Sequence, residues 1–235
     1  MLSAKINIPD WLRWTLFASI FVVAFIGVGA HFWSRIKVRK IKQKYQSEED
    51  KKNQQKLQQL RGEDLGTLPY DLKKFFASKS DDYDVENLIN TVFLNNSQEV
   101  LFVSAYLEFE LATILIKTNA NVSIIKQNLD INLWNNAVLN FPQYFSKKIN
   151  IKTYNEFKQH KFNLIFASNL SQSNLDLFEQ FYSMLQDNAM LIIRQDKQKN
   201  SDLKNLVSTL KLSGITYEVS SIKSQFIYIV KRQNN

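Results

Sequence analysis

The stretch Glu99-Val-Leu-Phe-Val-Ser-Ala-Tyr-Leu-Glu-Phe-Glu-Leu-Ala-Thr-Ile-Leu-Ile-Lys117 changes its period halfway along. Val100 to Val103 is an apolar run too short for a helix and flanked by polar residues, which predicts a buried strand. From Leu107 onward the apolar residues return at helical spacing, through Leu111, Ile114, Leu115 and Ile116. A strand feeding a helix through a short loop is where open α/β sheets hold nucleotide-like ligands, at the carboxyl end of the strand. Here the loop contains no glycine.

Working outward, the same alternation continues through the C-terminal half. Strand-like runs fall at Val100–Val103, Val122–Ile125, Ile149–Ile151, Phe162–Ala167, Met190–Ile193, Ile215–Val219 and Phe226–Val230. Helical patterns lie between most of them, at Leu107–Lys117, Ile131–Leu139, Tyr154–Lys158, Leu175–Leu185 and Leu203–Leu212. Strands alternating with helices imply an α/β fold, a mainly parallel sheet covered on both faces. The last two runs are joined only by Ser220 to Gln225, too few residues for a crossover helix, so they must pair as an antiparallel hairpin. Upstream, Pro69–Ala77 and Asp84–Leu94 read as two amphipathic helices, with Asp81, Asp82 and Asp84 at the positive end of the second.

The N-terminal quarter has a different composition. Residues 1–10 form a short polar tail, and residues 11–33 are almost wholly apolar, with Arg13 near the start and His31 near the end. From Trp14 to Trp33 the run has the length of a bilayer crossing, at about 1.5 Å per residue and roughly 30 Å of hydrocarbon. Trp11, Trp14 and Trp33 sit where indoles favour the interface. The segment therefore reads as a single transmembrane helix. A cleaved signal peptide is the rival, with Val28-Gly29-Ala30 as small residues at a cleavage site; the length of the run and the basic charge after it favour an uncleaved anchor.

Arg35, Lys37, Arg39, Lys40, Lys42 and Lys44 follow the span, against Lys5 and Arg13 before it. This asymmetry puts the C-terminal side in the cytoplasm, as a single-pass protein of the cell membrane. The cluster from Arg35 to Lys44 can also hold anionic lipid headgroups, at about 1 kcal/mol per basic residue. Residues 34–68 then form a basic juxtamembrane segment and a charged helical spacer, and residues 69–235 the α/β domain.

Charge excludes one reading. The formal charge is +8, but residues 1–46 carry eight basic residues and one acid, so the remaining 189 residues hold only +1. No specific nucleic-acid surface is indicated. With no cysteine and only His31 and His160, thiolate chemistry, disulfides and histidine-rich metal sites are excluded. His160, between Lys158 and Lys161, reads as a surface residue, and Trp134 as core.

Seven strands ending in a hairpin resemble the doubly wound, Rossmann-like sheet of the class I S-adenosylmethionine-dependent methyltransferases, over residues 84–232. Val100-Leu-Phe-Val-Ser104 is similar to that family's first strand, Phe162-Asn-Leu-Ile-Phe-Ala167 to its fourth, Ala189-Met-Leu-Ile-Ile193 to its fifth and Phe226-Ile-Tyr-Ile-Val-Lys231 to its last. The resemblance implies S-adenosylmethionine as cofactor and places the three glycine positions of the cofactor loop at Ser104, Tyr106 and Glu108. The acid that ends the second strand and accepts from the ribose hydroxyls falls at Lys126, or at Gln127 with a slip of one. Asp130 more plainly starts the next helix. Asn163 stands where the family often has Asp, and Ser168-Asn-Leu-Ser171 departs from the Asn-Pro-Pro-Tyr motif, with Asn169 a turn residue or a remnant.

Bulky and charged side chains at the loop positions lead to the expectation of a filled cofactor pocket and an eroded site. Three readings stay open: a membrane-tethered methyltransferase with a divergent loop, a noncatalytic relative kept as an interaction or scaffold module, and an unrelated doubly wound domain for another small ligand. No catalytic residue is assigned.

Overall fold

The computed structural model describes residues 48–168, 172–195, 200–221 and 223–233, together with Pro9, Trp11 and Trp14. The chain divides into two units, Met1–Lys56 and Leu57–Asn235. The run read as a membrane span and the basic cluster after it lie outside the described residues, apart from Trp11 and Trp14. Among the described residues no helix is long and apolar enough to cross a membrane. Residues 48–61 are helical.

The second unit is built on α1 (Tyr70–Phe75), α2 (Asp82–Leu94), β1 (Glu99–Phe102), α3 (Glu108–Lys117), β2 (Asn121–Ile125), α4 (Ile131–Asn140), β3 (Asn150–Lys152), α5 (Tyr154–Phe157), β4 (Phe162–Ser168), α6 (Asn174–Phe181), β5 (Leu185–Arg194), α7 (Asn200–Leu212), β6 (Thr216–Ser221) and β7 (Gln225–Lys231). The strands form one sheet in the order β3-β2-β1-β4-β5-β7-β6. The first five are parallel, while β7 runs antiparallel to both β5 and β6.

The inner strands deal their apolar residues alternately to two cores. Val100, Phe102, Val122, Ile124, Leu164 and Phe166 face α1 to α4, where Leu72, Ile89, Phe109 and Trp134 complete one cluster. Leu101, Val103, Ile165, Ala167, Leu191 and Ile193 face α5 to α7, with Phe157, Phe181, Leu206 and Leu210. Burial on both faces explains why these strands read as continuous apolar runs.

Three boundaries differ from the sequence expectation. α2 begins at Asp82, because Asp81 caps it by accepting from the Tyr83 N–H at 2.9 Å. α6 stops at Phe181, and Tyr182–Met184 tighten into a 3-10 turn. β5 starts at Leu185, five residues early. Its register against β4 shifts between Phe162 and Leu164, and Asn188 adopts φ +60°, so a polar irregularity hides the first half of this strand from a periodicity reading.

Candidate functional site

Between β1 and β4 the strand order switches direction, β2 and β3 lying on one side and β5 to β7 on the other. A cleft of about 1060 Å³ opens above this point. The expectation of a filled pocket is therefore corrected: the space is open, with Tyr106 at its rim and Glu108 in its wall.

Tyr106 is the clearest case. It takes φ +63°, the left-handed region that favours glycine, so the loop keeps a glycine-like turn without glycine. Its side chain is 81% exposed at the cleft rim and does not plug it. Ser104 is buried behind the cleft: its hydroxyl donates to the Ser168 carbonyl at 2.9 Å and accepts from the Ser168 N–H at 2.8 Å. One side chain thus welds the end of β1 to the end of β4.

Glu108 lines the cleft at the first position of α3, and it too is buried. Its Oε1 accepts from the Asp130 N–H at 3.2 Å, while Asp130 Oδ1 accepts from the Leu133 N–H at 3.0 Å as the cap of α4. Two helix starts are linked by two carboxylates. Lys126 is exposed and is not part of the cleft wall; Gln127 and Asn128 of the same short turn are. Of the two positions offered by the resemblance, Lys126 and Gln127, it is Gln127 that lines the cleft. Asn128 also donates to the Val103 carbonyl at 2.6 Å, pinning the turn to the loop after β1.

The opposite half of the cleft was not legible beforehand. Arg194, at the end of β5, donates through Nη1 to Glu110 Oε1 at 2.7 Å and to Ser80 Oγ at 3.1 Å, and the Ser80 hydroxyl donates to the same Glu110 oxygen at 2.6 Å. Glu110 is 1% exposed and its Oε2 is buried without a partner. Beneath this node, Asn174 and Gln195 exchange amide hydrogen bonds at 2.7 and 3.0 Å. Residues 76–81 cross between the halves: the Phe76 ring stacks on Trp134 of α4 with centroids 6.2 Å apart, and Ser80 reaches the Arg194 node. An arginine closing an apolar strand was the one signal available in the sequence. Glu110 looks like an ordinary first-turn acid.

His160 and Asn163 lie at the opposite end of the strands, beside the start of β1. His160 Nε2 lies 3.6 Å from Glu99 Oε2, half exposed, in keeping with a surface residue. Asn163 accepts from the Gln98 and Glu99 N–H groups at 3.1 and 3.0 Å and donates to Gln186 at 2.8 Å, a strand-tying role. Trp134 is core, as expected. Asn169 and His31 lie outside the described residues, among which no cluster of three or more His, Asp or Glu suited to a metal occurs.

The residues present do not fit S-adenosylmethionine in the manner the resemblance implies. The loop lacks the glycines of the family pattern, and Glu108 sets a buried carboxylate in the cleft wall at the start of α3. In the connection after β2 the wall offers Gln127 first, and the nearest carboxylate is that of Asp130, the cap of α4.

No family model and no curated protein matches the chain. Solved structures do. A "putative caffeoyl-CoA O-methyltransferase" from Staphylococcus aureus superposes with a TM-score of 0.56 at 14% identity, over 77% of this chain and 99% of its own. A methyltransferase from Geobacter sulfurreducens gives 0.53 at 10% identity, over 66% and 80%. The O-methyltransferase from Bacillus cereus, solved in complex with SAH, gives 0.50 at 13% identity, over 66% and 84%. At such identities the likeness is one of architecture, and together with the strand order it establishes that this chain has the class I S-adenosylmethionine-dependent methyltransferase fold.

Proposed function

We propose that this chain is a membrane-tethered protein that keeps the methyltransferase fold with a degenerate S-adenosylmethionine site, and that it serves as a noncatalytic binding or scaffold module. The single observation that carries the loss of chemistry is the use of the loop positions for the domain's own frame: Ser104 joins β1 to β4, and Glu108 joins α3 to α4. Tethering rests on the sequence, on the apolar run 11–33 and the basic cluster that follows it. On this reading the domain faces the cytoplasm, and Arg35 to Lys44 contact anionic headgroups.

Calorimetry of the full chain in lipid nanodiscs with S-adenosylmethionine tests the reading. Silence to roughly millimolar ligand is expected, and a Kd of about micromolar overturns it. For topology, protease added outside intact cells should leave the domain whole. A second reading, retained methyl transfer with a divergent loop, is favoured by the open cleft of about 1060 Å³ and is the one that micromolar binding would install.

A further inference from the structure

We infer that the β3 edge of the domain is a docking face for an anionic bilayer surface. This rests on the tethering part of the reading above and goes beyond it, because the basic residues concerned belong to the folded domain and not to the segment after the apolar run.

The near-neutral charge of the domain conceals two opposed regions. Residues 57–117 carry five basic and ten acidic residues, whereas residues 118–161 carry six lysines against Asp130 and Glu156 alone. The first region spends most of its cations internally: Arg61 pairs with Glu86, Lys73 with Asp82 and Lys117 with Asp64. In the second, all six lysines are exposed, and among the described residues none of them forms a salt bridge. Lys147 and Lys161 donate to the Thr118 and Ser183 carbonyls at 2.6 Å each, which uses a donor and leaves the charge in place.

The other four lysines bracket one edge. β3 is the last strand on its side of the sheet, and its three residues are all exposed. Ile125 of β2 is in register with Lys152 of β3, so Lys126 and Lys152 sit at the same end of neighbouring strands. Hydrogen bonds from Thr153, then the charges of Lys152 and Lys126, hold the Glu156 carboxyl below its usual range, which puts both ammonium groups beside α5. Lys148 precedes β3 and Lys158 follows α5, and between them Ile151 adds an apolar contact at 37% exposure.

A flat anionic surface suits this edge better than a nucleic acid does. Single strands are held by stacking on exposed aromatic rings, and the exposed aromatics of the domain, Tyr70, Tyr83 and Tyr106, come from other elements. A bilayer needs only basic charge at its surface, and a chain anchored in it meets headgroups at high effective concentration, so that weak attraction at each lysine is enough.

The test is lysine acetylation of the full chain in nanodiscs, read site by site by mass spectrometry. With about 30% phosphatidylserine in place of pure phosphatidylcholine, labelling of Lys126, Lys148, Lys152 and Lys158 should slow at least about threefold, while Lys204 and Lys211 on α7 keep their rates. Salt at about 0.5 M should abolish the difference. Lys148→Glu combined with Lys158→Glu, both at exposed positions, should return Lys126 and Lys152 to their rates in phosphatidylcholine; protection that persists overturns the inference. Equal labelling of the four lysines in both discs, with Lys37 to Lys44 slowed, also overturns it and leaves the tether standing. Protection by a soluble oligonucleotide in phosphatidylcholine discs as strong as that by phosphatidylserine overturns the assignment to the bilayer, and a chain that does not stay with the discs removes both this inference and the tether.

Discussion

The two halves of the cleft are built from the same kind of material and bonded differently: the β5 half ties side chain to side chain, and the β1 and β2 half ties side chain to backbone. On the β5 side an arginine, a glutamate and a serine close on one another through a single carboxylate oxygen, Glu110 Oε1, while Glu110 Oε2 stays buried without a partner. On the β1 and β2 side, Glu108 and Asp130 each spend one oxygen on a backbone N–H and keep one. Polarity alone does not make a site: what matters is how many donors and acceptors remain after the fold has been satisfied.

The largest effect should come from unbalancing the closed half. Arg194→Met leaves Glu110 charged and unpaired in the interior, and is expected to lower stability by about 3–5 kcal/mol in urea unfolding of the full chain, whereas adding Glu110→Leu should restore most of it. If the single and double variants unfold alike, the node is not the paired frame described. Next in size is Ser104→Ala, which strips the buried Ser168 N–H and carbonyl of their shared partner and should cost about 1–3 kcal/mol.

A smaller change, of opposite sign, sharpens the open half. Tyr106→Gly removes a side chain from a left-handed backbone position and should stabilise by up to about 1 kcal/mol, read as a higher unfolding midpoint. Smallest of all is a titration. Burial raises the Tyr228 phenol above its ordinary value of 10.0, against the opposing hydrogen bond from Asn87, with Glu218 and Asp84 adding to the rise. Because the folded state holds this proton more tightly, the contribution is intact below pH 10 and disappears as pH climbs through the raised value. Absorbance at alkaline pH should show Tyr228 titrating late together with Tyr144 and Tyr182, whose phenols are raised as well, and Tyr228→Phe should reduce that late amplitude by one tyrosine.

The sheet was legible because strands buried on both faces leave unbroken apolar runs, and the cap of α4 because Asp130 precedes an amphipathic stretch. Half of β5 was not, since Gln186, Asp187 and Asn188 carry no strand pattern where the register slips. The cleft was misjudged for a different reason. Residue type reports volume and charge, while the left-handed turn at Tyr106, which sends its ring outward, is set by the backbone around it. Likewise nothing in the sequence joins Ser80 to Arg194 across 114 residues.

The placement of β7 between β5 and β6 has a consequence for biosynthesis. Residues 225–231 are translated after every other strand, yet they supply both neighbours with their partner. Until they leave the ribosome, the β5 backbone keeps a bare flank, and the nascent domain waits with an adhesive edge. Chaperone demand should therefore concentrate in the last moments of synthesis, and truncation before Gln225 should yield aggregates rather than a smaller folded domain.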